Sequence, residues 1–119
     1  MAQHALGEVK PSSTTTALRA TNNTLSLDPP ITQDPSKNFA CQAIQFQVLS
    51  TNTGTVRIVD RQTPTLTLHT LVEIPVPTPL TALPTWTIGD PSKMAAFDAS
   101  TFWVLPTVSG EGVRVTVVR

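Results

Sequence analysis

Proton transfer near neutral pH usually falls to histidine, and this chain of 119 residues has two, His4 and His69. His4 sits in a polar N-terminal stretch. His69 lies inside the run Thr65–Val72, where strand alternation gives it a packing or solvent-facing place rather than the role of a base. A thiolate nucleophile would need a histidine across the sheet from Cys41; between Ala40 and Gln42 on an apolar strand, that cysteine reads as a small core residue. The carboxylates Asp28, Asp34, Asp60, Glu73, Asp90, Asp98 and Glu111 never fall in a D-x-D or E-x-x-H spacing. Ser109-Gly110-Glu111-Gly112 lacks the lysine and the strand-to-helix setting of a phosphate loop. One cysteine leaves no internal disulfide and no multi-cysteine metal site. Asn22-Asn23-Thr24 has the form of a glycosylation sequon, which matters only in a secreted chain. Trp86 and Trp103 have two readings, a sugar-stacking platform or anchors of a β core, and the second is preferred. No catalytic residue, cofactor site or metal site is expected, and the chain is expected not to be an enzyme.

The elements that would hold these residues are strands. Ile44, Phe46 and Val48 alternate with Gln45 and Gln47 over Ala40–Leu49. Thr51-Asn52-Thr53-Gly54 turns the chain, and Val56 and Ile58 alternate on the return, so a hairpin is expected over 40–59. Leu66, Leu68 and Thr70 mark a third run. Pro75, Pro77, Pro79 and Pro84 cannot donate to a ladder, which makes that stretch a sheet edge or a crossing loop. Trp86–Ile88 is a short strand, and Phe102–Leu105 with Val113–Val118 predicts a last hairpin within 97–118. Residues 1–38, with four prolines and little periodicity, read as an extended N-terminal arm carrying one short strand at Thr24–Leu27. The expected fold is all-β: a single β-sandwich or jelly-roll-like domain of roughly eight strands over 39–119, preceded by that arm.

Composition narrows the function classes. Eight basic and eight acidic residues cancel, and charged residues make up 13% of the chain against a usual ~25%. Nucleic acid and anionic membranes both select clustered Lys and Arg, so neither is an expected partner. The N-terminus lacks a charged stretch followed by an apolar one, and no apolar run reaches the ~20 residues of a membrane span, so a cytoplasmic origin is expected. Dispersed monomers usually keep net charge away from zero, and protein interfaces are poor in Lys, Glu and Asp. The chain is thus expected to pack against copies of itself or a larger assembly.

Asp34-Pro35-Ser36-Lys37 recurs as Asp90-Pro91-Ser92-Lys93, and at that offset of 56 there are 11 identities across positions 34–54. With one further residue in the second turn, Val56-Arg57-Ile58 aligns with Val113-Arg114-Val115. The repeat spans 34–59 and 90–116, and the matched Phe46/Phe102 and Val48/Val104 point to duplication. Each Asp-Pro suits the cap and first position of a helical turn.

The pattern Cys41-Gln42-Ala43-Ile44-Gln45-Phe46-Gln47-Val48, followed by Asn52-Thr53-Gly54-Thr55-Val56-Arg57-Ile58-Val59-Asp60, resembles the small capsid decoration (cement) proteins of tailed bacteriophages. Gly110-Glu111-Gly112-Val113-Arg114-Val115 looks like the same group. The resemblance covers residues 40–60 and 110–118 and carries no functional residue across. It implies a β-sandwich virion protein on the capsid exterior, made in the host cytoplasm, that stabilises the shell by bridging neighbouring capsomers. Its partners would be the major capsid protein and itself, as a dimer or a trimer, the trimer suiting threefold lattice sites. Leu18, Leu25 and Leu27 in the arm are the expected interface residues, spaced like a segment that adds to an exposed sheet edge. The competing class is a carbohydrate-binding or adhesion module built on Trp86 or Trp103, and another small head or tail component is a third possibility.

Overall fold

Val, Ile and Phe alternating with Thr and Gln stiffen the chain into strands that present one apolar face. The computed structural model describes residues 3–21, 40–78, 82–89 and 97–118, and the side chains of Gln3 and His4 are not among the described groups. Among these residues the chain is mostly strand and every pairing is antiparallel. One four-stranded sheet runs β1 (Gln3–Val9), β10 (Val113–Val118), β4 (Ala43–Val48), β7 (Thr85–Gly89). A second runs β2 (Leu18–Arg19), β9 (Trp103–Pro106), β5 (Val56–Val59), β6 (Thr70–Ile74). A short ribbon pairs β3 (Ala40–Cys41) with β8 (Phe97–Asp98).

Both four-stranded sheets feed one hydrophobic cluster. Ile44, Phe46, Val48, Val113, Val115 and Val117 enter it from the first sheet, and Val56, Ile58, Ile74 and Val104 from the second. Each such side chain, once buried, contributes about 1.5–3 kcal/mol relative to exposure. Phe46 and Phe102, the matched phenylalanines of the repeat, meet edge-to-face with ring centroids 5.9 Å apart. The second sheet is covered on its other face too: Ala17, Val59 and Leu105 are buried there under Trp103. Burial on both faces explains the continuous buried run Val104-Leu105-Pro106.

The two stretches expected to be hairpins are not hairpins. β4 pairs with β10 and β7, whereas β5 pairs with β9 and β6, so each repeat sends its first and second strand to different sheets. The repeats exchange partners reciprocally: first strand of one with second strand of the other, twice over. Cys41 and Phe97, equivalent under the offset, are opposite each other in the β3–β8 ribbon. Val48 pairs with Val113, and their counterparts Val104 and Val56 miss each other by two residues because Val56 pairs with Pro106. A two-residue slip keeps the same side chains facing inward. Twofold-related copies of one unit would produce this arrangement. Both Asp-Pro-Ser-Lys motifs lie outside the described residues, as does the expected strand at Thr24–Leu27.

The N-terminal stretch also departs from the expected arm. Residues 3–9 form an edge strand along β10, with Leu6 4% and Val9 1% exposed, and residues 17–21 lie against β9 and the core. The sequence hides this strand because its alternation breaks at a bulge between Ala5 and Gly7. A further departure falls at Leu66–His69, which is a single helical turn, α1, before β6 begins at Thr70. The proline stretch does cross between sheets, joining β6 on the edge of one to β7 on the edge of the other.

Candidate functional site

Where β4 turns into β5 and β9 into β10, the connecting arches lean on each other. Asn52 is 5% exposed, and its Nδ2 donates to the Gly112 carbonyl at 2.7 Å. That carbonyl also accepts from Leu49 N–H at 3.4 Å. Glu111 answers from the other arch, its carboxylate accepting from Thr53 N–H at 2.7 Å, Thr53 Oγ1 at 2.9 Å and Gly54 N–H at 2.9 Å. Desolvation pushes the Glu111 carboxyl up, but the donors from Gly54 and Thr53 outweigh it and hold the group below its ordinary value. A Cβ on Gly112 would fall on the Val9 carbonyl, so only glycine lets β1 approach here. Gly54 and Gly110 match in the repeat yet differ in purpose. Gly54 is packed against Thr107 and Val108, while Gly110 has open space around it and a φ of 83°.

Beside the arches lies a shallow groove of about 350 Å³, lined among others by Glu8, Lys10, Gln47, Leu83 and Arg114. Glu8 takes up both bases, with Lys10 Nζ at 3.5 Å and Arg114 Nη2 at 3.4 Å. Its charges are thus matched internally, and both bases are more than half exposed, which is poor ground for selective ligand capture. The other described carboxylates also have partners within the chain. Asp60 pairs with Arg61 at 2.9 Å, and that hydrogen bond lowers its pKa. Glu73 pairs with Arg57 at 3.4 Å. Asp98 accepts from Ser100 N–H at 3.0 Å and caps the 3₁₀ turn Ala99–Thr101.

The residues singled out for chemistry stand apart. Cys41 is 2% exposed in the β3–β8 ribbon. His69 ends α1, where its Nδ1 accepts from Thr65 N–H at 2.8 Å. Among the described residues no group of three or more His, Cys, Asp or Glu side chains is placed to hold a metal ion, and no helix is long and apolar enough to cross a membrane. Trp86 stacks on Phe46 at 5.8 Å and meets Phe102 at 6.3 Å, so its ring belongs to the aromatic centre of the core. Trp103 carries the Arg19 guanidinium over its ring at 4.5 Å. Leu18 packs half-buried against the chain's own core, and Leu25 and Leu27 lie outside the described residues.

Sequence reading missed the most exposed apolar surface. Leu66 is 42%, Leu68 76% and Leu71 48% exposed, three of the four large apolar side chains that the described residues leave open. A period of two from Leu66 requires an apolar residue at 70, but the chain has Thr70 and then Leu71. That slip in phase marks the bulge: Ile58 faces Val72 and Val59 faces Thr70, leaving Leu71 as the extra residue on β6. No family model matches the chain, and comparison with curated proteins and with solved structures also returns no match.

Proposed function

We propose that this chain is a β-sandwich structural protein of a virion. It decorates the outside of a capsid shell and bridges neighbouring capsomers without catalysing a reaction. The observation that carries this reading is where the resemblance falls in the fold. Residues 40–60 and 110–118, which resemble phage decoration proteins, supply β4, β5, β10 and the two arches that lock together through Asn52 and Glu111. The likeness therefore rests on the residues that decide the architecture. A charge-poor surface with exposed leucines supports the same reading, since such surfaces suit lasting contacts better than dispersal. The two sheets with their shared cluster are then the layers of the sandwich, and the major capsid protein is the partner.

The test is sedimentation with particles assembled from the major capsid protein of the same phage. The protein is expected to travel with the particles and to saturate at a fixed ratio to capsid subunits. If it stays at the top of the gradient, and instead binds glycans in a manner abolished by Trp103→Ala, the carbohydrate-binding reading replaces this one.

A further inference from the structure

Strands consecutive in the chain are neighbours in roughly two-thirds of ordinary cases. Here, of the seven pairings among the described residues, only β5–β6 joins consecutive strands. The other six all join a strand before residue 75 to a strand after residue 84. Among the described residues, β7, β8, β9 and β10 therefore pair only with strands of the first group. Side chains cross the same seam. Phe46 packs on Trp86 at 5.8 Å and on Phe102 at 5.9 Å, Glu111 accepts from Thr53 and Gly54, and Asn52 donates to Gly112. The C-terminal strands are thus an insert, and β1–β6 are the cradle that seats it.

One stretch of chain, residues 75–84, joins cradle to insert, and it is stiff where it leaves β6. Prolines at 75, 77 and 79 restrict Ile74, Val76 and Thr78 to extended backbone. Pro75-Val76-Pro77-Thr78 pairs with no strand, and Pro75 and Thr78 are exposed. The two ends of the connection nevertheless lie close together. Ile74 pairs with Val56 and Thr85 with Gln47, both beside the arch that joins β4 to β5, and β6 comes within 8 Å of β7. Ten residues at ~3.1 Å each extend to about 31 Å, three times the ~10 Å between stacked sheets. A connection inclined to run straight has to return within one molecule.

We propose that the chain binds a second copy of itself by exchange. β7–β10 of each copy seat among β1–β6 of the other, and the two connections run between the bodies. The partner is fixed by the molecule's own interior, because each ladder, aromatic contact and arch bond that crosses the seam is remade between chains. With the contacts the same, concentration and the hinge decide between the two forms. A short flexible tether holds its partner at an effective concentration on the order of mM, and a stiff connection poorly matched to the gap lowers it. Exchange undoes six pairings, so it takes place as the chain folds, and each form then persists. It does not depend on the capsid reading.

The experiment refolds the full chain from denaturant at about 1 μM and at about 1 mM, below and at the effective concentration of a short tether. Both samples are then diluted for sedimentation velocity. The first is expected to be monomer. The second should contain a dimer that survives dilution for hours, with the circular dichroism spectrum of the monomer. Gln45→Cys/Thr116→Cys sets two thiols opposite each other across β4 and β10. Refolded under reductant and then oxidised, it should form an internal disulfide in the dilute sample. The dimer from the concentrated sample should instead run as linked chains on a denaturing gel. Wild type, whose Cys41 is buried, is the control for stray cross-links. Pro75→Ala/Pro77→Ala, which loosens the hinge, should yield several-fold less dimer. Monomer alone at both concentrations, a dimer that falls apart on dilution, a dimer whose disulfides are all internal, or an undiminished yield from the proline variant would overturn the inference.

Discussion

Asn52 is the residue on which the two arches most directly depend. Its Nδ2 bond to the Gly112 carbonyl is buried, while its Oδ1 is buried with no hydrogen-bond partner among the described residues. Asn52→Ala removes the shorter of the two bonds to that carbonyl and leaves it only the 3.4 Å bond from Leu49 N–H, a loss of about 0.5–1.5 kcal/mol. A urea midpoint lowered with an unchanged slope would register it, and a midpoint equal to wild type would show that the arches do not need the bond. Glu111 is a pH-dependent partner in the same lock. Its folded pKa lies below the ordinary value of 4.5, so its contribution is fully present above that value and lost as pH falls through the folded pKa. Wild-type stability is therefore expected to fall toward that of Glu111→Gln as pH drops below 4.5 and through the lowered folded pKa. Parallel stability curves for the two proteins over that range would contradict this. Neither role was legible in the sequence. Asn and Glu in a turn signal only a turn, and the partner of each lies nearly sixty residues away.

At the scale of elements, β1 decides whether the N-terminus belongs to the body. Leu6 and Val9 sit in the shared core, so Leu6→Ala should cost about 2–4 kcal/mol by lost transfer and cavity terms. Removing residues 3–9 should abolish a single cooperative melting transition, because β10 loses one of its two neighbours and the core loses two side chains. A truncated protein that melts within a few degrees of wild type would restore the idea of a dispensable arm. The sequence conceals this strand because the bulge at Ala5–Gly7 breaks its period, and Pro11 and the serine and threonine run that follow resemble a linker. Strands with clean alternation were legible: β4, β5, β7 and β10 lie where Val, Ile, Phe and Trp alternate with polar residues. α1 was not, since Leu-Thr-Leu reads equally as strand and as one turn of helix.

Across the whole molecule, alternation tells which face is buried but not which strand lies alongside. Phe46, Val48, Val56 and Ile58 face the core whether their strands form a hairpin or an arch between sheets. That is why the repeat could be read from the residues while its reciprocal pairing could not. The pairing has its own consequence. Every strand of one repeat relies on the other, so residues 1–80 and 81–119 produced separately should be unfolded, and mixing them should restore the β spectrum. Folding of either piece alone would contradict the interlocked topology. At this same scale stands the claim that the molecule works as a component of a shell. Cryo-electron microscopy of particles assembled with and without the protein tests it most directly. Added density of this fold is expected at regular lattice positions on the outer surface, spanning adjacent capsomers. Identical reconstructions from the two samples, with the protein present at saturating concentration, would contradict it.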